Sequence, residues 1–159
     1  MKKFELTSET KINIFGKKLF RIKALISFGV VKTGETGGWV EKEENVNQSG
    51  NAWVFGNAEV FGNAEVFGNA EVSDNAWVFD NARVFGNADY ATIHGFGTQF
   101  RTTTFFRCKD KQVKVSCGCF YGTIPEFCEQ VKNTRKGKIA EEYLMIADLM
   151  EKHFAEEAK

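Results

Sequence analysis

The chain has 159 residues, of which 43% are hydrophobic and 26% are charged, so it fits one compact unit with a hydrophobic core. Its 21 basic residues balance 21 acidic residues, and this balance excludes the strong positive charge that is typical of proteins binding extended nucleic acid. The apolar stretches are much shorter than the roughly 20 residues of a membrane-spanning helix. We therefore expect no membrane span.

The N-terminal sequence MKKFEL has no apolar signal segment, which favours a cytoplasmic protein. The four cysteines have the spacing Cys-x8-Cys-x-Cys-x8-Cys, which lacks the paired Cys-x2-Cys of structural zinc sites. We expect free, buried thiols, no metal site and no cofactor. The cysteines are Cys108, Cys117, Cys119 and Cys128.

Residues 1–45 predict an N-terminal β cap. Apolar residues recur near alternate positions from Lys11 to Phe28 around a turn at Gly16-Lys17, which is typical of a hairpin. The glycine-rich segment 32–39 follows, and its backbone amides could bind an anion, although it lacks phosphate-loop spacing. We favour a structural role, in which Trp39 covers the open end of the next region; ligand contact is the alternative.

A six-residue repeat occupies the middle of the chain. The sequence NAWVFG at Asn51 recurs as NAEVFG at Asn57 and continues with few changes to Ala88. Alternation places valine and alanine inside and phenylalanine and charged residues outside, and each Gly-Asn pair is a turn. Three repeats would close a coil of eighteen residues. Residues 46–100 therefore predict a short left-handed parallel β-helix within a mainly β fold.

An eighteen-residue coil also predicts which outward side chains are neighbours. Phe61 would lie beside Phe79, and Glu65 beside Arg83. The pattern ends where His94 would fall on an inward position that elsewhere holds a small residue. Only about two and a half coils are present, so the outward aromatic side chains need a cover.

Residues 101–159 predict a hairpin followed by two helices. The hairpin turns at Asp110-Lys111, and its register places Phe106 and Val115 on one face. Residues 123–126, TIPE, form a capping box that opens the first helix. The second helix, Ile139 to Phe154, has an apolar stripe, which we expect to pack on the hairpin of its own chain or, alternatively, between subunits.

Three segments resemble a known group of proteins. They are residues 31–40 (VKTGETGGWV), 45–54 (NVNQSGNAWV) and 117–127 (CGCFYGTIPEF). They are similar to short hexapeptide-repeat proteins of phages and bacteria, which are often labelled acyltransferases or polymer-forming proteins. The resemblance implies a left-handed β-helix and a mobile-element origin, but it brings no established reaction.

Enzymes of the hexapeptide acyltransferase group are typically trimers in which a histidine activates the acceptor. His94 is the one candidate base here, because His153 lies on the polar side of the last helix. An acyl carrier would also need a groove several coils long. We therefore expect no enzyme, with acyl transfer through His94 as the alternative.

The preferred interpretation is a non-enzymatic binding protein that forms a homo-oligomer, with a trimer favoured and ligand clefts between subunits. The phage resemblance adds the hypothesis that it acts against a host defence, by sequestering a nucleotide-like signal or by binding a host protein. A structural scaffold is a third possibility. Aromatic stacking and cations would hold a nucleotide. The ligand-binding candidates are Lys32, Gly37, Gly38, Trp39, Trp53, Trp77, Arg83 and Arg101.

Overall fold

The structure, a computed structural model, describes residues 2–99, 101–118 and 120–155. The chain divides into two compact units, Met1–Asn87 and Ala88–Lys159. The predicted cap and nearly all of the repeats lie in the first unit, and the predicted hairpin and helices lie in the second. Neither helix in the described part of the chain is long and apolar enough to cross a membrane.

The first unit begins with the predicted hairpin. Strand β1 (Phe4–Ile12) pairs antiparallel with β2 (Lys18–Ala24). Gly16, with φ of +77°, supplies the left-handed backbone that the turn requires. Strand β3 (Thr36–Val40) pairs antiparallel with β2, so the end of the glycine-rich segment is a strand.

Each repeat contributes one strand of only two residues. Parallel pairs join Trp53 with Glu71, Glu59 with Trp77 and Glu65 with Arg83, so the predicted eighteen-residue spacing of neighbours is confirmed. The repeat valines are 0% exposed and the repeat alanines from Ala52 to Ala82 are 0–1% exposed, as the alternation predicts, whereas the last one, Ala88, is exposed. The six strands are β4 (Trp53–Val54), β5 (Glu59–Val60), β6 (Glu65–Val66), β7 (Glu71–Val72), β8 (Trp77–Val78) and β9 (Arg83–Val84).

The predicted fold class, a short left-handed parallel β-helix, is wrong. The thirteen strands of the described residues fall into four sheets, and these show no closed or solenoid structure. The largest sheet is mixed, with the order β1-β2-β3-β5-β8, while β4-β7 and β6-β9 are isolated two-stranded sheets. The physical reason is that the repeat strands are short. Each repeat strand pairs with one other repeat strand, eighteen residues away, and the one larger sheet grows by adding β3 and the antiparallel hairpin to the β5–β8 pair.

A buried lysine joins the start of the chain to the repeats. The Lys3 ammonium is 1% exposed and donates hydrogen bonds to the carbonyls of Ala52, at 2.7 Å, and Gly50, at 3.3 Å. It also lies 4.6 Å from the centre of the Phe28 ring. Burial lowers the pKa of Lys3 from 10.5 to about 8, because the charged form loses solvation.

The second unit contains an antiparallel sheet and two helices. Its strands are β10 (Tyr90–Phe96), β11 (Arg101–Arg107), β12 (Val113–Cys117) and β13 (Phe120–Thr123), paired in that order. The helices are α1 (Ile124–Thr134) and α2 (Gly137–Phe154). The capping box is confirmed: Thr123 Oγ1 accepts from the Glu126 N–H, and the Glu126 carboxylate accepts from the Thr123 N–H, which lowers the pKa of Glu126.

The apolar stripe of α2 packs in its own chain, as expected. Tyr143, Ile146 and Met150 are buried against a core that includes Phe105 and Phe127. The predicted hairpin register is wrong by one residue. Phe105 pairs with Val115, while Phe106 pairs with Lys114. The turn contains three residues instead of two, because Lys111 adopts a left-handed φ of +71° and the Cys108 N–H bonds to the Gln112 carbonyl.

The Lys3→Met variant should change how stability depends on pH. Because the pKa of Lys3 is lower in the folded chain, about 8, than its ordinary 10.5, its contribution to the free energy of unfolding rises as pH increases through this window and is lost as pH falls through about 8. Methionine has a similar length and no charge. Urea unfolding from about pH 7 to about pH 10 should show wild type gaining stability relative to the variant.

The neighbouring Lys2→Met variant is the matched control, since it also removes one ammonium group but from a side chain that is 62% exposed, and so separates the loss of a charge from the loss of a buried one. Burial also raises the pKa values of Cys128 and Tyr143, which opposes stability at alkaline pH. Those effects are common to wild type and variant and cancel in the difference. Parallel pH profiles for wild type and Lys3→Met would show that the ammonium is not desolvated.

Candidate functional site

The N-terminal hairpin covers one aromatic face of the repeats. Phe15, in the turn between β1 and β2, lies 5.7 Å from Phe61, 5.7 Å from Trp77 and 5.4 Å from Phe79, measured between ring centres. Phe61 and Phe79 stack on each other at 4.8 Å, as the eighteen-residue spacing predicts. Trp77, a predicted ligand contact, is therefore part of this internal aromatic cluster.

A second face is covered by the first residue of β1 and by a residue that follows the hairpin. The Trp53 ring meets Phe4 at 5.8 Å and Phe28 at 5.2 Å, both edge to face, and only 1% of Trp53 is exposed. Its indole Nε1 has no hydrogen-bond partner. Trp53 is therefore a core residue that no ligand can reach without rearrangement.

Two cations occupy the Trp39 ring. Lys11 Nζ lies 4.6 Å and the Arg21 guanidinium 4.4 Å from the ring centre, and Trp39 is 6% exposed. Lys11 also pairs with the nearly buried Glu59 at 2.9 Å, and Arg21 pairs with Glu9 at 2.9 Å. This network fixes the hairpin on the repeats through the pair of Lys11 with Glu59, and it leaves Trp39 in contact with the chain's own charges.

The two glycines before Trp39 are required by packing. A Cβ at Gly37 would lie 2.5 Å from the Val54 carbonyl oxygen, and one at Gly38 would lie 2.6 Å from Val54 Cγ1 and 2.7 Å from the Ala58 carbonyl oxygen. Strand β3 can approach the repeats only without side chains at these positions. Lys32, in the preceding turn, is exposed.

The remaining aromatic face of the repeats carries an exposed phenylalanine. Phe67 and Phe85 meet edge to face at 4.9 Å, and Phe85 is 61% exposed. The Arg83 guanidinium lies 4.9 Å from the centre of the Phe67 ring, and its Nε lies 3.7 Å from Glu65 Oε2. Arg83 is therefore the sequence candidate that the first unit presents on an exposed surface beside aromatic rings.

A cavity of about 450 Å³, here called the Arg83 groove, borders this face. Three carboxylates line it, those of Glu43, Glu44 and Glu65, against the single lining cation Arg83. Lys2 pairs with Glu43 at 3.0 Å, but even when Lys2 is counted the three carboxylates exceed the two cations by one negative charge. The other lining residues are Val46, Asn47, Gln48, Val66 and Phe67.

A buried asparagine positions the acidic side of the groove. Asn45 is 0% exposed; its amide donates to the carbonyls of Gly62 and Ala64, and its Oδ1 accepts from the N–H groups of Glu41 and Lys42. These bonds fix the short 3₁₀ turn Glu43–Asn45 against the repeats. Sequence reasoning missed this acidic wall because it precedes the regular repeats; the segment NVNQSG was the available signal.

The other predicted site residues lie in the second unit. His94 is exposed on β10, where its Nδ1 lies 3.0 Å from Thr102 Oγ1, so it does not occupy an inward position of the kind that the repeat alanines hold. The repeats end before β10 begins, so His94 belongs to none of them. Arg101 is exposed on β11, and His153 is exposed near the end of α2.

The comparisons with known proteins leave the assignment to the geometry. No protein-family model matches the chain, and no curated protein matches it. Within residues 2–99, 101–118 and 120–155, no three histidine, cysteine, aspartate or glutamate side chains are grouped so that they could hold a metal ion. What the described surface offers is an aromatic face beside an acidic groove.

Replacing Gly38 by alanine should destabilise the first unit. The added Cβ would overlap with Val54 and the Ala58 carbonyl, and overpacking of this kind costs about 1–3 kcal/mol in the free energy of unfolding. Gly86 is the control, because its Cβ would meet nothing within 4 Å. Gly86→Ala should stay within about 0.5 kcal/mol of wild type in chemical denaturation. Equal stability of both variants would contradict the close approach of β3.

Proposed function

We propose that this chain is a non-enzymatic binding protein that recognises a protein segment in which a lysine or arginine lies next to an apolar side chain. The observation that supports the proposal is the Arg83 groove, where three carboxylates and one cation lie beside Phe67, whose ring meets the exposed Phe85. The aromatic pair offers an apolar anchor, and the carboxylates select a basic residue beside it.

The charge of the groove favours a basic protein segment over a nucleotide-like signal. A phosphate in the groove would lie near the carboxylates of Glu43, Glu44 and Glu65, and like charges in a recessed site repel. The one lining cation, Arg83, is already directed at Glu65 and the Phe67 ring. Of the three rings predicted to stack on a base, Trp39 and Trp53 are buried within the chain, and the half-buried Trp77 contacts Phe15.

The biological setting rests on the resemblance to phage proteins. As part of the proposal, the chain is phage-encoded and acts in the cytoplasm against a host defence by binding a host protein. The free thiols of Cys108, Cys117 and Cys128 fit a reducing compartment. Acyl transfer through His94 has less support, because the described contact of its ring is the Thr102 hydroxyl on the next strand.

A homotrimer is less favoured than the sequence alone indicates. The outward aromatic side chains need a cover, but the chain itself supplies that cover on two faces. On the third face Phe85 is 61% exposed, and we assign this face to the protein segment. A scaffold built from repeat edges is likewise less favoured, since β3 occupies one edge of the β5–β8 pair.

The partner chemistry can be tested with a displayed library of random dodecapeptides. Wild-type protein should enrich peptides that carry lysine or arginine next to an aliphatic or aromatic residue, and Phe85→Ala should lose that enrichment. An enriched peptide should then bind Arg83→Ala more tightly, by up to about fivefold, because an exposed competing ion pair of less than about 1 kcal/mol is removed.

Lys32→Ala is the matched control, since Lys32 is an exposed cation outside the Arg83 groove, and it should leave the affinity unchanged. A thermal-shift series with ATP tests the nucleotide alternative in parallel. Enrichment of acidic peptides, weaker peptide binding by Arg83→Ala, or stabilisation by ATP that Arg83→Ala abolishes would each overturn the proposal.

A further inference from the structure

Helix α2 has a second apolar patch that its own core does not use. Its buried side packs in the second unit, but Met145 is 71% exposed and Leu149 is 56% exposed on the opposite side. The two residues are four positions apart, so they lie next to each other on the helix surface. Single exposed apolar residues are common, and two of them side by side amid charged neighbours give a small apolar patch.

One acidic and one basic residue flank this pair symmetrically about the level of Ala147, whose own side chain is buried on the other side of the helix. Met145 and Leu149 lie two residues before and after it, and Glu142 and Lys152 lie five residues before and after it. In an antiparallel pair of α2 helices related by a two-fold axis at residue 147, Met145 faces Leu149 of the second copy. Glu142 then faces Lys152 of the second copy, and Glu141 lies in the same helical turn.

We propose that a second copy of this chain docks on the outward face of α2, in an antiparallel helix pair centred on Ala147. The contact is self-complementary: each copy contributes the apolar pair, an acidic turn at Glu141-Glu142 and the Lys152 ammonium. Lys152 now lies 3.3 Å from Asp148, and both side chains are more than half exposed. Such a pair is weak and exchanges partners at little cost. The dimer does not depend on the Arg83 groove.

Charge-swap variants of the full chain test this arrangement by sedimentation equilibrium. The wild type should show a monomer–dimer equilibrium that shifts with concentration. One variant carries Glu141→Lys and Glu142→Lys, and the other carries Lys152→Glu. Each alone should be monomeric at concentrations where wild type dimerises, because like charges then meet twice in the dimer. Mixed one to one, the two variants should form a heterodimer, since each contact again joins opposite charges.

Helical circular dichroism verifies that the variants are folded, and Met145→Ser with Leu149→Ser gives a neutral test that should also abolish the dimer. Ile12→Ser with Ile14→Ser is the control: these side chains are 65% and 66% exposed in the first unit, and the dimer should persist. A wild type that stays monomeric, charge-swap variants that do not recombine, or a dimer lost only in the Ile12 and Ile14 control would overturn the proposal.

Discussion

The interior formed by the repeats is lined by valine and alanine, and this leaves their large aromatic side chains on the outside to be covered by another part of the chain. Burying a phenylalanine side chain contributes about 1.5–3 kcal/mol to the free energy of unfolding, so the contribution of the cover is comparable to that of several small inward side chains. The cover consists of Phe15 in the hairpin turn, Phe4 at the start of β1 and Phe28 after the hairpin. The mixed sheet follows from the same constraint, because the hairpin that covers the repeats also pairs with them through β3.

The cover decides which candidate residues can take part in function. Trp39, Trp53 and Trp77 are engaged by the chain's own cations and rings, so an aromatic cage for a nucleotide is not presented there. The third face carries the exposed Phe85 and the Arg83 groove, where acidic residues from the turn before the repeats meet Glu65 and Arg83. The proposed binding of a basic and apolar protein segment therefore depends on which faces of the repeats the N-terminal residues cover.

Periodicity in the sequence predicted the features that depend on local order. The eighteen-residue pairing of Glu65 with Arg83, the burial of the repeat valines and the Thr123 capping box follow from alternation and from helix-end chemistry. The fold class did not follow, because sheet order depends on which distant strand reaches an edge. The cover by Phe15 and the acidic wall at Glu43 and Glu44 depend on contacts across dozens of residues, which no local pattern encodes. The prediction of the hairpin register was wrong because Lys111 adopts a left-handed backbone conformation, which a lysine in the sequence does not indicate.

The central claim is that Phe15 covers the Phe61, Trp77 and Phe79 cluster, and a double-mutant cycle measures it directly. Phe15→Ala should lower the free energy of unfolding by about 1–3 kcal/mol even though Phe15 is 40% exposed, and its coupling with Phe79→Ala should be about 0.5–1.5 kcal/mol. The adjacent Ile14→Ala, at a side chain 66% exposed, should show neither effect. Additive losses for Phe15 and Phe79, or equal losses for Phe15 and Ile14, would contradict the account.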